Sequence, residues 1–264
     1  MSTPTYCSST TEVTDNVLSL SSDILAKTLS DPARRKRLNE LGELASALEA
    51  FIRGYQRIED PAISTDDEIL NWTFSETSTD LAGAIWLLAS GYYKASASCL
   101  RNALEIAVAS LYFQIRENER TSVGYNKLFA EWDRGERRTP NWGEMKTWIT
   151  QQAGVASFVA RAGIDPVAAT YKHFEYLCAY THTSAFAGVD DPVTAINMTG
   201  VAPEFDKRYF SRGCELISTT ICMSAVLWQI VFPGIAKTEP LGPMSSGAYE
   251  KLFALPHGAA ALSC

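Results

Sequence analysis

"TDLAGAIWLLASGYYKASASCLRNALEIAVASLYFQIRENE", residues 79–119, is the longest apolar tract of the chain, and its pattern decides the fold class. Between Ala95 and Phe113 apolar or small side chains fall on nearly every side of a helical wheel, the mark of a central helix surrounded by others. Gly91, followed by Tyr92 and Tyr93, divides the tract into helices over about 79–90 and 92–117. Only Arg101, Asn102 and Glu105 interrupt the central helix with large polar groups. A charge buried there needs a partner, and Arg101 and Glu105, one helical turn apart, can meet on one face.

Upstream, a helix starts near Asp15, with Val17, Leu18, Leu20, Ile24, Leu25 and Leu29 at helical spacing. Asp31-Pro32 then gives a cap followed by proline at the first helical position, and Leu38, Leu41, Leu44, Leu48, Phe51 and Ile52 form one stripe that ends before Pro61. Downstream, residues 118–141 are polar and end at a Thr-Pro stop, and "NWGEMKTWITQQAGVASFVARAG" reads as one or two short helices. Asp165-Pro166 repeats the capping signal, for a helix reaching about Ala185, and Asp206 opens a last long helix to about Phe232. No segment alternates with period two for long, and no repeat is present. The expectation is an all-α chain, an irregular bundle of about seven helices. It divides into an N-terminal tail (1–13), an N-terminal helical pair (14–60), a helical core domain (66–232) and a C-terminal tail (233–264).

At 264 residues with 46% hydrophobic content, the chain has enough apolar side chains for one sizeable core. A net charge of -7 excludes a surface that is basic all over, so any nucleic-acid contact must be local. The basic groups that form such patches are Arg34, Arg35, Lys36 and Arg37, and Arg134, Arg137 and Arg138. The first of these runs sits where the dipole of its helix disfavours positive charge. Six cysteines lack CxxC or zinc spacing, and the N-terminus lacks the basic start and apolar core of a signal peptide; both features read as a reduced, cytoplasmic protein. Ile217–Ala236 is uncharged over a membrane-spanning length, but its Ser, Thr and Gln and the terminal Pro233-Gly234 read as a buried core helix, with no membrane partner.

"YKHFEYLCAYTHTSAF", residues 171–186, holds two of the three histidines. With Tyr171 as zero and about 100° per residue, Glu175 falls at about 40°, Cys178 at about 340° and His182 at about 20°, while His173 falls at about 200°. The two histidines face opposite sides and cannot share a metal ion within one chain. His182 shares its side with Tyr171 and Glu175, pointing where Arg101 and Glu105 can meet it.

Together, "LLASGYYKASASCLRNALEIAVASLYF" and "YKHFEYLCAYTHTSA" resemble the HEPN-like superfamily, helical proteins that include bacterial toxins and phage-defence proteins, many of them RNA-cutting. The likeness spans about residues 76–190 and consists of a Gly-Tyr turn, an Arg-x-x-x-Glu in the central helix and a Tyr-rich helix ending in His-Thr-Ser. Family ribonucleases use an Arg, often followed by a polar residue such as Asn, with a His four to six residues on, and two chains bring two such motifs together. Arg101-Asn102 matches the first half of that motif, whereas Ile106, Ala107 and Val108 stand where the His belongs.

The resemblance therefore implies either a composite site for metal-independent RNA cleavage or a member that binds without cutting. In the first case His182 moves the proton, Arg101 holds the phosphate, and Glu105 or Glu175 orients one of them. In the second, Arg101, Glu105, Glu175, Tyr171 and His182 form a polar network that fixes helix register, in a sensor or adaptor of a defence complex. A homodimer is expected in both. No G-x-S-x-G, GxGxxG or Walker motif is present, so neither an esterase-type serine nor a cofactor is implied.

Overall fold

The structure, a computed structural model, describes residues 10–55, 67–118, 127–181, 205–232 and 252–253. Among the described residues all regular structure is helical, as expected for an all-α bundle: α1 Thr10–Ser30, α2 Pro32–Tyr55, α3 Asp67–Ala89, α4 Tyr93–Asn118, α5 Lys127–Asp133, α6 Trp142–Thr150, α7 Ala153–Ala162, α8 Pro166–Thr181 and α9 Lys207–Val231.

The helix starts are set by side-chain caps. Asp31 Oδ1 accepts from the Ala33 and Arg34 amides at 2.9 and 3.1 Å, and Asp165 Oδ1 accepts from Val167 and Ala168, both at 2.9 Å. Asp206 does the same for Arg208 and Tyr209, and Asn141 for Glu144. Each fills amide donors that a helix start leaves open. Between α3 and α4 the chain turns on Gly91 at φ 83°, where the Gly91 amide donates to Leu88 and the Tyr92 amide to Leu87. That paired closure needs a left-handed residue, which glycine adopts without a Cβ clash.

Helix count and boundaries depart from the sequence reading in three places. α1 begins at Thr10, α3 begins at Asp67 within what reads as a polar link, and the polar segment after α4 contains α5. In α3 the hydroxyls bond to carbonyls one turn back, Thr73 to Ile69 at 2.6 Å and Thr79 to Ser75 at 2.8 Å, so a Ser/Thr-rich stretch stays helical.

α4 is the central helix, touching α3 most extensively and also α5, α6, α8 and α9. It buries Ala103, Leu104, Val108, Leu111, Tyr112, Phe113 and Ile115. Thr73 and Ser110 hydroxyls meet at 2.5 Å between α3 and α4, and the fully buried Trp228 of α9 donates its indole N–H to the Ala107 carbonyl at 3.1 Å. α2 sends Leu38, Leu41, Leu48, Phe51 and Ile52 into the same core. α9 is long and apolar enough to cross a membrane by composition, but 72% of its apolar window is buried inside the bundle, which is how a core helix sits.

Candidate functional site

Of the residues singled out by the sequence, Arg101 and Glu105 lie on α4 and Tyr171 and Glu175 on α8, two helices that pack together. Arg101 Nη2 stands 3.6 Å from Glu105 Oε2, with the two side chains 33% and 29% exposed. The pair therefore lies on the half-exposed flank of α4, not in the sealed interior expected from its apolar surroundings. The Arg101 guanidinium lies 5.4 Å over the Phe174 ring of α8, with the Cys178 thiol one turn further along that helix within reach of its charge. Burial pushes that thiol up, and Arg101 pulls it part of the way back. Arg101 Nε is shielded from solvent and has no hydrogen-bond partner.

Tyr171 and Glu175 stand one helical turn apart on α8, and the neighbouring carboxylate raises the phenol. The Tyr171 ring lies 5.6 Å from Trp142 and under the Lys146 ammonium at 5.5 Å, so it belongs to the α6–α8 junction. Glu175 is exposed and shares the electrostatic surroundings of Cys178 with Arg101 and Glu105. α4 and α8 thus converge on the expected side of α8, joined by Phe174 and Cys178. Asn102 takes no part: it is exposed and donates to Asp80 Oδ2 of α3 at 2.5 Å, because one residue of helix turns it well away from Arg101. His182 lies outside the described residues.

His173 points the other way, as its wheel position predicts. Its Nε2 is 2.9 Å from the Thr220 hydroxyl of α9, and burial, assisted by Arg212, pushes the imidazole down to about 4. It is a neutral core histidine at physiological pH.

Basic residues expected to contact RNA have neighbours of their own. Arg34 pairs with Asp31 at 3.2 Å and covers the Phe205 ring at 4.0 Å; Arg37 pairs with Glu40 at 3.2 Å; Arg35 Nε donates to the Leu29 carbonyl at 2.8 Å. Arg134 makes a two-bond contact with Glu136, and Arg137 lies 3.5 Å from Glu131. Lys36 and Arg138 are exposed.

A second polar junction escaped the sequence reading. Tyr112, 2% exposed, donates to Glu144 Oε1 at 2.5 Å between α4 and α6, and burial with that carboxylate pushes the phenol up to about 12. Beside it, Arg116 lies 4.0 Å over Trp148. Its only signal is Glu144 at the third helical position after the Asn141 cap, which reads as capping. Among the described residues no group of His, Cys, Asp and Glu is placed to hold a metal ion. Comparison with protein-family models, with curated proteins and with solved structures finds no match for this chain.

Proposed function

We propose that this chain acts by binding, as a helical sensor or adaptor module of the HEPN-like kind, with the polar residues of α4 and α8 holding the two helices in register. One observation carries this reading: described members of the expected catalytic set are paired with neighbours on the flank of the bundle. Glu105 is paired with Arg101 and Asn102 with Asp80. Taking a proton from a ribose hydroxyl near neutral pH needs a free base within reach, and among the described groups of α8 the Tyr171 phenol and Cys178 thiol are both shifted toward holding their protons. The half-exposed Arg101–Glu105 pair and the Phe174 ring it covers act as a clasp between helices.

A second reading, RNA cleavage in a toxin or antiphage effector, is favoured by one feature. The Arg101 guanidinium is one-third exposed, retains an unpartnered Nε, and sits beside Cys178, four residues before His182 in the chain. There Arg101 would carry the phosphate and His182 the proton. Incubating total cellular RNA with the wild type, Arg101→Ala and His182→Ala separates the two. Intact RNA with all three supports the binding module; cleavage by the wild type that both substitutions abolish overturns it in favour of the enzyme. The homodimer proposed with both readings is checked by sedimentation at micromolar concentration, where a species of monomer mass alone counts against it.

A further inference from the structure

α2, α4 and α9 begin at the same end of the bundle. The Tyr93 hydroxyl, at the head of α4, donates to the Asp206 carbonyl at 3.2 Å and accepts from the Asp206 amide at 3.0 Å, at the head of α9. Arg34, in the first turn of α2, lies over Phe205, and Lys207 helps to hold the Asp31 carboxyl below its usual range across the same junction. None of these helices carries an acidic residue in its first turn. What they carry instead is Arg34, Arg35, Lys36 and Arg37 on α2, Lys94 on α4, and Lys207 and Arg208 on α9. Helix dipoles disfavour cations at that position, so the clustering works against the stability of the fold. Asp31, Glu40 and Asp206 pair with Arg34, Arg37 and Arg208. Arg35, Lys36, Lys94 and Lys207 make no ion pair among the described residues, so the described groups at this end carry a positive balance in a chain of net charge -7.

We propose that this end of the bundle is a docking surface for an anionic lipid bilayer. Charge complementarity selects a polyanion, and the other groups at the rim select its kind. Leu29, 40% exposed, stands in the last turn of α1 with its carbonyl held by Arg35. Exposed leucine beside lysine and arginine supplies the two weak signals that peripheral membrane attachment combines. Single-stranded nucleic acid asks for free aromatic faces on which bases stack. Two of the rings here are occupied, Phe205 under Arg34 and Tyr93 against Tyr209 at 5.5 Å. This surface does not depend on whether the Arg101 site performs chemistry.

The test is co-sedimentation of the full chain with vesicles of phosphatidylcholine alone and of equal parts phosphatidylcholine and phosphatidylserine, at low and at physiological salt. Binding is expected to the anionic vesicles only and to weaken with salt. Each basic group near such a surface contributes about fivefold to partitioning, so Lys36→Gln with Lys207→Gln lowers binding by more than about tenfold. Leu29→Ser weakens it while leaving the salt dependence in place. Both changes are at exposed positions, and an unchanged circular dichroism spectrum verifies the fold. No pelleting with anionic vesicles at low salt, or equal pelleting with neutral ones, overturns the proposal. So does tight, Lys36/Lys207-dependent binding to homopolymeric RNA in the absence of vesicle binding.

Discussion

His173 is a residue whose placement makes a quantitative claim. Its ordinary value of 6.5 applies to the unfolded chain, and in the fold it is pushed to about 4 by burial and then by Arg212. Between those values the unfolded chain binds the proton that the folded one refuses, so stability is complete above about pH 6.5 and falls as the pH drops toward 4. The full loss is about 3 kcal/mol, since one unit corresponds to 1.36 kcal/mol. Carboxylates titrate in part of the same range, so the measurement is the difference in urea stability between wild type and His173→Gln at pH 7 and at pH 4.5. The gap should narrow or reverse in acid, and a parallel pair of curves would sink the assignment. Arg101→Met, in contrast, should cost under about 1 kcal/mol, because its pair with Glu105 is one-third exposed. That His173 turns toward α9, away from the side of α8 that carries Tyr171 and Glu175, was legible in the sequence, since wheel position depends only on helical periodicity; His182 lies outside the described residues. That Arg101 sits at a half-exposed flank and that Asn102 turns to Asp80 was not, because both depend on where α8 and α3 lie against α4.

At the scale of the element, capping signals carried most of what the sequence told. Asp31-Pro32, Asp165-Pro166 and Asp206 each combine a side-chain acceptor with the right local geometry, and each opens a helix where expected. The amino-terminal half of α3 and all of α5 were invisible for the opposite reason: their Ser, Thr and charged residues read as linker, and it is packing of Ile69, Leu128 and Phe129 into the core that makes them helical. Close helix packing also escapes sequence patterns. A Cβ added at Gly154 of α7 would stand 2.0 Å from the Ile230 carbonyl oxygen of α9, so the two backbones touch there. Gly154→Ala must push α7 away and should cost about 1–3 kcal/mol in denaturant unfolding. Gly42, inside α2, has nothing within 4 Å of such an atom. Gly42→Ala should therefore stabilise by about 0.5–1 kcal/mol, through helix propensity alone. Equal effects at the two positions would contradict the α7–α9 contact.

For the whole molecule, the core is continuous from α2 through α9, whereas α1 stands apart from it. Inward, α1 presents Ser21, Ile24, Leu25 and Thr28; outward, it leaves Leu18, Leu20 and Leu29 at 61%, 45% and 40% exposure. The Thr28 hydroxyl is fully buried without a hydrogen-bond partner, as is that of Thr77 on α3, and each such group costs about 1–3 kcal/mol of desolvation. A helix whose described side chains from Leu18 on bring only Ile24 and Leu25 to the bundle should open locally while α4 and α9, sealed around Trp228, stay closed. Native-state hydrogen exchange is then expected to show α1 amides opening several kcal/mol more easily than those of α4. Thr28→Val removes the unsatisfied hydroxyl at nearly constant shape, and should slow exchange along α1 and raise its opening free energy by about 1 kcal/mol. Amides of α1 as protected as those of α4, or an α1 that Thr28→Val loosens, would mean that the helix is bound to the bundle through contacts other than this hydroxyl-lined face.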